Sequence, residues 1–210
     1  TYADLNKVYV TNAANFAGEE AVAVKITDTV SAANADIIAK LTDGKVTATV
    51  TAGTSTALDA ALTDTDENAL TLTVTGDAIA TELNSLDGKT SVDVKVDAAK
   101  VTGDYDDLYE LYVTNKANFT ALGNENIVIT GGTAEQVNTI ANLTTGKVTA
   151  TIADTAANLV AGLKNSVATD ALSLTVTGTA KASDLIILDG KTSEDITVNA
   201  DVVSGTYAEL

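Results

Sequence analysis

The sequence predicts an α/β repeat protein, an open solenoid with one parallel sheet, helices on one face and a threonine-rich sheet face left exposed. Three observations carry that expectation. A helix–glycine–lysine–strand junction occurs four times, as LTDGK at 41–45, LDGK at 86–89, LTTGK at 143–147 and LDGK at 188–191. The segments between successive strands hold helix rather than hairpin signals, which calls for parallel strands joined by right-handed crossovers. Within the strands apolar residues alternate with Thr, Ser, Asp or Lys, whereas strands buried on both faces read as unbroken apolar runs. Helices should therefore cover one side only.

The chain lays onto itself with a step of just over a hundred residues: Tyr2, Tyr105 and Tyr207 correspond, as do Leu5, Leu108 and Leu210. YVTN at 9–12 returns at 112–115, GKVTAT at 44–49 returns at 146–151, and LTVTG at 72–76 returns at 174–178. This gives one unit over 1–105 and a second over 106–210, a continuous array with no Pro- or Gly-rich linker. The first unit is expected to hold strands at 8–11, 22–27, 45–51, 70–75 and 92–97, and the second at 111–114, 127–130, 147–152, 172–177 and 195–199.

Between the strands, a helix over 31–41 aligns Ala33, Ile37 and Leu41 on one stripe, with Ser31 as its cap and Ile37 expected between helix and sheet. Gly44 is expected to end it in the left-handed conformation. Its counterpart over 134–143 opens with Thr133 and Gln136, a capping box. Ile79, Leu83 and Leu86 form another stripe, partly repeated by Leu185 and Leu188, and the alanine-rich stretches 57–62 and 156–163 are short helices. The connections 105–108 and 12–16 are expected to hold a turn at most. Tyr2, Tyr105 and Tyr207 should plug the repeat ends with rings inward, while Tyr9 and Tyr112 fall on the polar strand face.

Composition narrows the function. Apolar residues make up 45% of the chain, enough for a packed core, while aromatics are 4%, so the layers are built from Val, Ile, Leu and Ala. Cys and His are both absent, which excludes disulfides, thiolate ligands and imidazole ligands or bases. The 12 basic residues are all lysines, and the net charge of -17 repels nucleic acid. No apolar run approaches the ~20 residues of a membrane span. Both ends share one phase of the repeat, TYADL and GTYAEL, so the sequence reads as a segment of something longer.

Candidate sites are few. Thr47, Thr49, Thr51, Thr71, Thr73, Thr75, Thr149, Thr151, Thr175 and Thr177 should form hydroxyl rows on the exposed sheet face. Such rows suit ordered water or sugar hydroxyls, although threonine is also simply a good strand former and Lys45, Asp93, Lys95, Asp97, Lys147 and Asp195 interrupt the array. Asp64, Asp66 and Glu67 in one loop, and Asp104, Asp106 and Asp107 in another, are weak calcium candidates, since clustered carboxylates supply hard oxygens. Neither loop has the DxDxDG spacing, and a solvated acidic turn is the plainer reading. Without His or Cys a catalytic base has to be Asp, Glu or Lys with a shifted pKa, and repetition of the halves argues against one unique site. The glycines form no GxxxxGK[ST] or GxGxxG pattern, and Gly131 and Gly132 fit a strand-to-helix turn. No catalytic or cofactor-binding residue is assigned.

The period resembles that of leucine-rich repeats, without the LxxLxLxxN consensus, so no asparagine ladder is implied. The phrases LTVTG, LDGKTS and GTYAEL are similar to the Ala/Thr/Asp-rich tandem arrays of very large bacterial extracellular proteins, as in giant cyanobacterial surface proteins and repeats-in-toxin adhesins. The GGxGxD nonapeptide is absent, so the calcium roll of the latter is not implied. What the resemblance implies is a cell-surface location and a non-enzymatic structural segment, a spacer or end-to-end fibre. The alternative is an adhesin that presents the threonine face to glycan, ice or another surface. Expected partners are neighbouring copies, with Val8 and Val10 meeting Ile196 and Val198 of the preceding one, and in the alternative a surface glycan; nucleic acid and membrane insertion are not expected.

Overall fold

A strand follows each glycine–lysine junction, with Val, Ala or Ile alternating with Thr after the first and third and with Lys, Asp or Asn after the second and fourth. A computed structural model describes residues 1–18, 20–64 and 66–208; Leu210, last of the leucine series, lies outside them. The strands are β1 (Val24–Val30), β2 (Val46–Val50), β3 (Ala69–Thr71), β4 (Thr73–Ile79), β5 (Val94–Gly103), β6 (Phe119–Thr120), β7 (Asn126–Ile129), β8 (Val148–Thr155), β9 (Ala171–Lys181) and β10 (Thr197–Ser204). The helices are α1 (Tyr2–Asn6), α2 (Ala32–Ala39), α3 (Ser55–Ala61), α4 (Ala80–Asp87), α5 (Tyr105–Tyr109), α6 (Ala134–Ala141), α7 (Ala156–Gly162) and α8 (Ala182–Asp189). The pairings β1–β2, β2–β3, β5–β6, β5–β7, β7–β8, β8–β9 and β9–β10 are all parallel, as the helical crossovers require.

Residues Thr1–Ala99 and Val113–Leu122 make one compact unit, and Lys100–Tyr112 with Gly123–Leu210 the other. The first holds α1 to α4, β1 to β4, the opening half of β5 and the short β6. The second begins with the closing half of β5 and holds α5 to α8 and β7 to β10.

The expectation of one sheet is corrected to two: a three-stranded sheet ordered β1-β2-β3, and a seven-stranded sheet ordered β10-β9-β8-β7-β5-β4 with β6 also on β5. The break falls at Leu72, between β3 and β4. Strand β2 stops at Val50, so β4 meets only a single-residue bridge, in which Thr75 N–H donates to Gly53 O (2.8 Å) and Gly53 N–H to Thr73 O (3.2 Å).

Alternation works as expected where strand and register agree. Val46, Ala48 and Val50 of β2 are buried while Thr47 and Thr49 face out, and Leu172, Leu174 and Val176 of β9 repeat the pattern. Helix α6 buries Ala134, Val137 and Ile140, and the capping box of Thr133 and Gln136 is present. Helix α4 buries Ala80, Leu83 and Leu86, but Ile79 ends β4 and is exposed.

The strands expected at 8–11 and 111–114 are instead wide helical turns, Lys7–Thr11 and Glu110–Thr114, continuing α1 and α5. Asn12 N–H reaches back five residues to Lys7 O (2.8 Å). Thr1 and Asp104 cap these helices through Asp4 N–H and Asp107 N–H, so the expected turn at 105–108 is helical. Leu108, Leu111 and Tyr112 then fall on one stripe and bury, which overrides the strand preference of YVT. Tyr9 and Tyr112 are consequently buried, not on a polar face. Of the turn tyrosines, Tyr2 and Tyr105 are half-buried, whereas Tyr207 is fully exposed and plugs nothing.

Two further readings change. In α2 the stripe of Ala33, Ile37 and Leu41 faces solvent: Ile37 is 41% exposed and its neighbour Ile38 is 0%. The buried face is Ala32, Ala35, Ile38 and Ala39, about one residue round the helix, because the carboxylate of Asp36 is also drawn inward. Gly44 does not have positive φ. A Cβ there would overlap the backbone carbonyl of Val22, and one at Gly146 the carbonyl of Glu125, so close strand approach selects these glycines. The last strand, expected at 195–199, runs over Thr197–Ser204 instead.

Candidate functional surface

The exposed sheet face carries the threonines the alternation places there. Thr47, Thr49, Thr51, Thr71 and Thr151 are exposed, and Thr73, Thr75, Thr149, Thr175 and Thr177 are half-buried. In the first unit Thr29, Thr49 and Thr71 stand in one row across β1, β2 and β3. In the second, Thr155, Thr177 and Asn199 align across β8, β9 and β10, and Thr175 lies beside Thr197. Parallel strands space such rows by about 4.8 Å.

At the strand starts lies a second set of hydroxyls that sequence reasoning missed. Thr90, beside the GK of its junction, donates to Leu70 O (2.7 Å) and accepts from Leu70 N–H (3.0 Å) and Val92 N–H (3.1 Å). Thr192 repeats every bond with Leu172 and Glu194. Thr42 donates to Val22 O (2.8 Å) and accepts from Gly44 N–H (3.0 Å), and Thr144 does the same with Glu125 O and Gly146 N–H. Asn68 accepts from Val46 N–H (2.8 Å), and Asp170 takes its place with Val148 N–H (2.9 Å). These side chains satisfy backbone groups where each strand begins, which burial would otherwise leave costly. The signal was present in their recurring places at the glycine–lysine pair: Thr42 and Thr144 stand two residues before the glycine, and Thr90 and Thr192 directly after the lysine.

The buried acids are held by structural partners. Asp36 receives Lys40 (2.9 Å), Thr63 N–H (2.6 Å) and Asp64 N–H (2.7 Å). Burial pushes its carboxyl up, but Lys40 and those N–H groups outweigh burial and hold it below the usual aspartate range. Asn138 fills the same place in the second unit, accepting from Asn165 N–H (2.5 Å). Asp59 behaves like Asp36: burial is outweighed by Lys89, 2.5 Å away, and by Ser85, so its carboxyl is also held low. Tyr112 O–H donates to Glu125 (3.0 Å), whose same oxygen accepts from Gly123 N–H (2.8 Å). Burial, then the Glu125 charge, pushes the Tyr112 phenol well above the usual tyrosine range.

The calcium candidates have separate tasks. Asp104 caps α5, while Asp106 and Asp107 occupy its first turn. Asp64 accepts from the Asn68 amide (2.7 Å), the carbonyl of Asp66 accepts from the same amide (3.2 Å), and Asp66 and Glu67 are exposed. Among the described residues no three acidic side chains converge to hold a metal ion. Glu67 does line an open polar groove of about 150 Å³ with Asp87, Thr90, Ser91, Val92, Asp93 and Asn118, in which the Asn118 amide donates to Asp87 (3.0 Å).

Fold and surface together define an α/β repeat protein with parallel sheets and an outward threonine face. Compared with known proteins, the chain matches no family model, no curated protein and no solved structure. No helix among the described residues is long and apolar enough to cross a membrane.

Proposed function

We propose that this chain is a non-enzymatic structural segment, an open α/β solenoid that serves as a spacer or end-to-end fibre within a large cell-surface protein. The observation that carries this reading is the recurrence of the buried polar set. Thr42 and Thr144, Thr90 and Thr192, and Asn68 and Asp170 each join one strand turn to the preceding one, in both units. The carboxylates of Asp36, Asp59 and Asp170 are likewise committed to holding neighbouring segments, not to a shared reaction centre. The extracellular location rests on the resemblance of LTVTG, LDGKTS and GTYAEL to tandem surface-protein arrays. A spacer lengthens in proportion to its copies. In small-angle scattering, a fusion of two copies should have close to twice the maximum dimension of one. A fusion that folds back to a similar dimension would refute the spacer.

A second reading is favoured by the in-register row Thr29–Thr49–Thr71, a hydroxyl-and-methyl pattern suited to sugar hydroxyls or ordered water. Glycan-array and ice-recrystallisation assays test it. Binding that survives the combined change of Thr47, Thr73 and Thr149 to Lys rules this face out.

A further inference from the structure

The two repeats expose different amounts of equivalent surface. Strand β10 is the counterpart of β5: Ile196, Val198, Val203 and Gly205 stand where Val94, Val96, Val101 and Gly103 stand one repeat earlier. Strand β5 is paired along both edges, to β4 on one side and to β6 and β7 on the other, and Val101 is 0% exposed. Strand β10 is paired only to β9 among the described residues, and Val203 is 40% exposed. The opposite end shows the complementary deficit. Phe16 is the counterpart of Phe119, which pairs with Val94 in the β5–β6 ladder and is 7% exposed, whereas Phe16 is 49% exposed. Strand β1, counterpart of β7, has β2 on one edge and no strand on the other among the described residues.

We propose that a second copy of this chain docks head to tail on β10, in the register the chain already uses at β5. That register pairs Lys100 with Asn126, Val101 with Ile127, Thr102 with Val128 and Gly103 with Ile129. Transferred by the repeat, Val202 meets Ala23 of the next copy, Val203 meets Val24, Ser204 meets Lys25 and Gly205 meets Ile26. The β5–β6 pairing of Val94 with Phe119 becomes Ile196 against Phe16. This replaces the sequence expectation that Val8 and Val10 form the receiving strand, since both lie in a helical turn. An unpaired parallel edge templates a further strand, and a contact between two different ends does not close on itself but propagates. Each copy carries a net charge of -17, so the ends meet against mutual repulsion and association should strengthen with salt.

The inference rests on the repeat-stacking reading above, yet the two can fail separately. The chain has no cysteine, so disulfide trapping is clean. The full chain carrying Ala23→Cys and Val202→Cys should, on mild oxidation, give a ladder of dimers, trimers and longer species on a non-reducing gel. A chain carrying Thr151→Cys and Val202→Cys, whose first site is exposed in mid-sheet, should cross-link at least about tenfold more slowly, since only random encounters join it. In parallel, sedimentation of the unmodified chain should show mass rising with concentration and with salt, and Val203→Lys should return it to monomer with unchanged circular dichroism. Equal cross-linking of the two cysteine pairs, or a monomer at every concentration and salt, overturns the junction. A monomer whose two-copy fusion is still twice as long would overturn it while leaving the spacer reading intact.

Discussion

A single hydroxyl per strand turn closes three backbone groups at Thr90, and Thr192 does the same. Thr90→Val keeps shape and methyl but strands the buried Leu70 N–H, so it should cost about 1–3 kcal/mol, read as a lower urea midpoint. Thr49→Ser, on the exposed face, should cost under about 1 kcal/mol. Asp36 adds a pH term. Its folded carboxyl titrates below an unfolded aspartate, so its stabilisation is present above the ordinary aspartate pKa and is lost as pH falls through the lower, folded value. Asn138 shows that a neutral amide can fill the place. Asp36→Asn should therefore fold at neutral pH and show a shallower loss of stability as pH falls below the ordinary aspartate range, in acid titration followed by circular dichroism. The recurring place of Thr90 and Thr192 after glycine–lysine was visible in the sequence, but their burial was not, because a buried Thr and an exposed Thr look alike until the strand start is fixed.

At the scale of elements, the alternating strands and the positions of α2, α3, α4, α6 and α7 were legible, whereas the strands expected at 8–11 and 111–114 are helical. The alternation of Val46, Ala48 and Val50 with threonine has a period of two, which only a half-buried strand satisfies, so β2, β8 and β9 were readable. The helix α2 is short and rich in alanine, so several stripes fit its pattern equally well and Ile37 and Ile38 compete for the core. Ile38→Ala should cost about 2–5 kcal/mol and Ile37→Ala much less, a difference that thermal or urea unfolding would resolve. The turns at 7–11 and 110–114 were misread for a different reason. Their β-branched residues favour a strand locally, while Leu108, Leu111 and Tyr112 gain burial only on a helix. Tyr112 also makes the second turn sensitive to base. Its folded phenol titrates above an unfolded tyrosine, so its contribution holds below about pH 10 and is lost as pH rises beyond that. Tyr112→Phe loses the bond to Glu125 and should lower stability at pH 7, yet flatten the decline of the unfolding midpoint above about pH 10.

For the molecule as a whole, the acidity acts through its sum. With 29 acidic and 12 basic residues, at least 17 acids cannot be matched one to one by a base, and self-repulsion opposes folding. Salt shortens the reach of that repulsion to roughly 8 Å at physiological strength and 3 Å at 1 M. The urea midpoint should accordingly rise between about 0.01 and 0.5 M sodium chloride, a range over which the Debye length shrinks severalfold. A midpoint that falls with salt would mean that attractive pairs such as Asp59–Lys89 outweigh the net charge. The repeat itself was plain from the sequence, whereas the division into two sheets was not, because it depends on where β2 stops and not on any residue type.

The upstream reach of the buried side chains has a consequence for how such a gene changes. Thr42, Thr90, Thr144 and Thr192 find their carbonyl partners 19 or 20 positions earlier, and Asn68 and Asp170 their N–H partners 22 earlier. No buried bond of this set depends on a residue a whole repeat away. Copying or deleting one repeat through misaligned recombination therefore carries every internal partner along with it and remakes only a single seam. Length becomes a trait that can be inherited and adjusted in whole steps, without redesigning the interior each time.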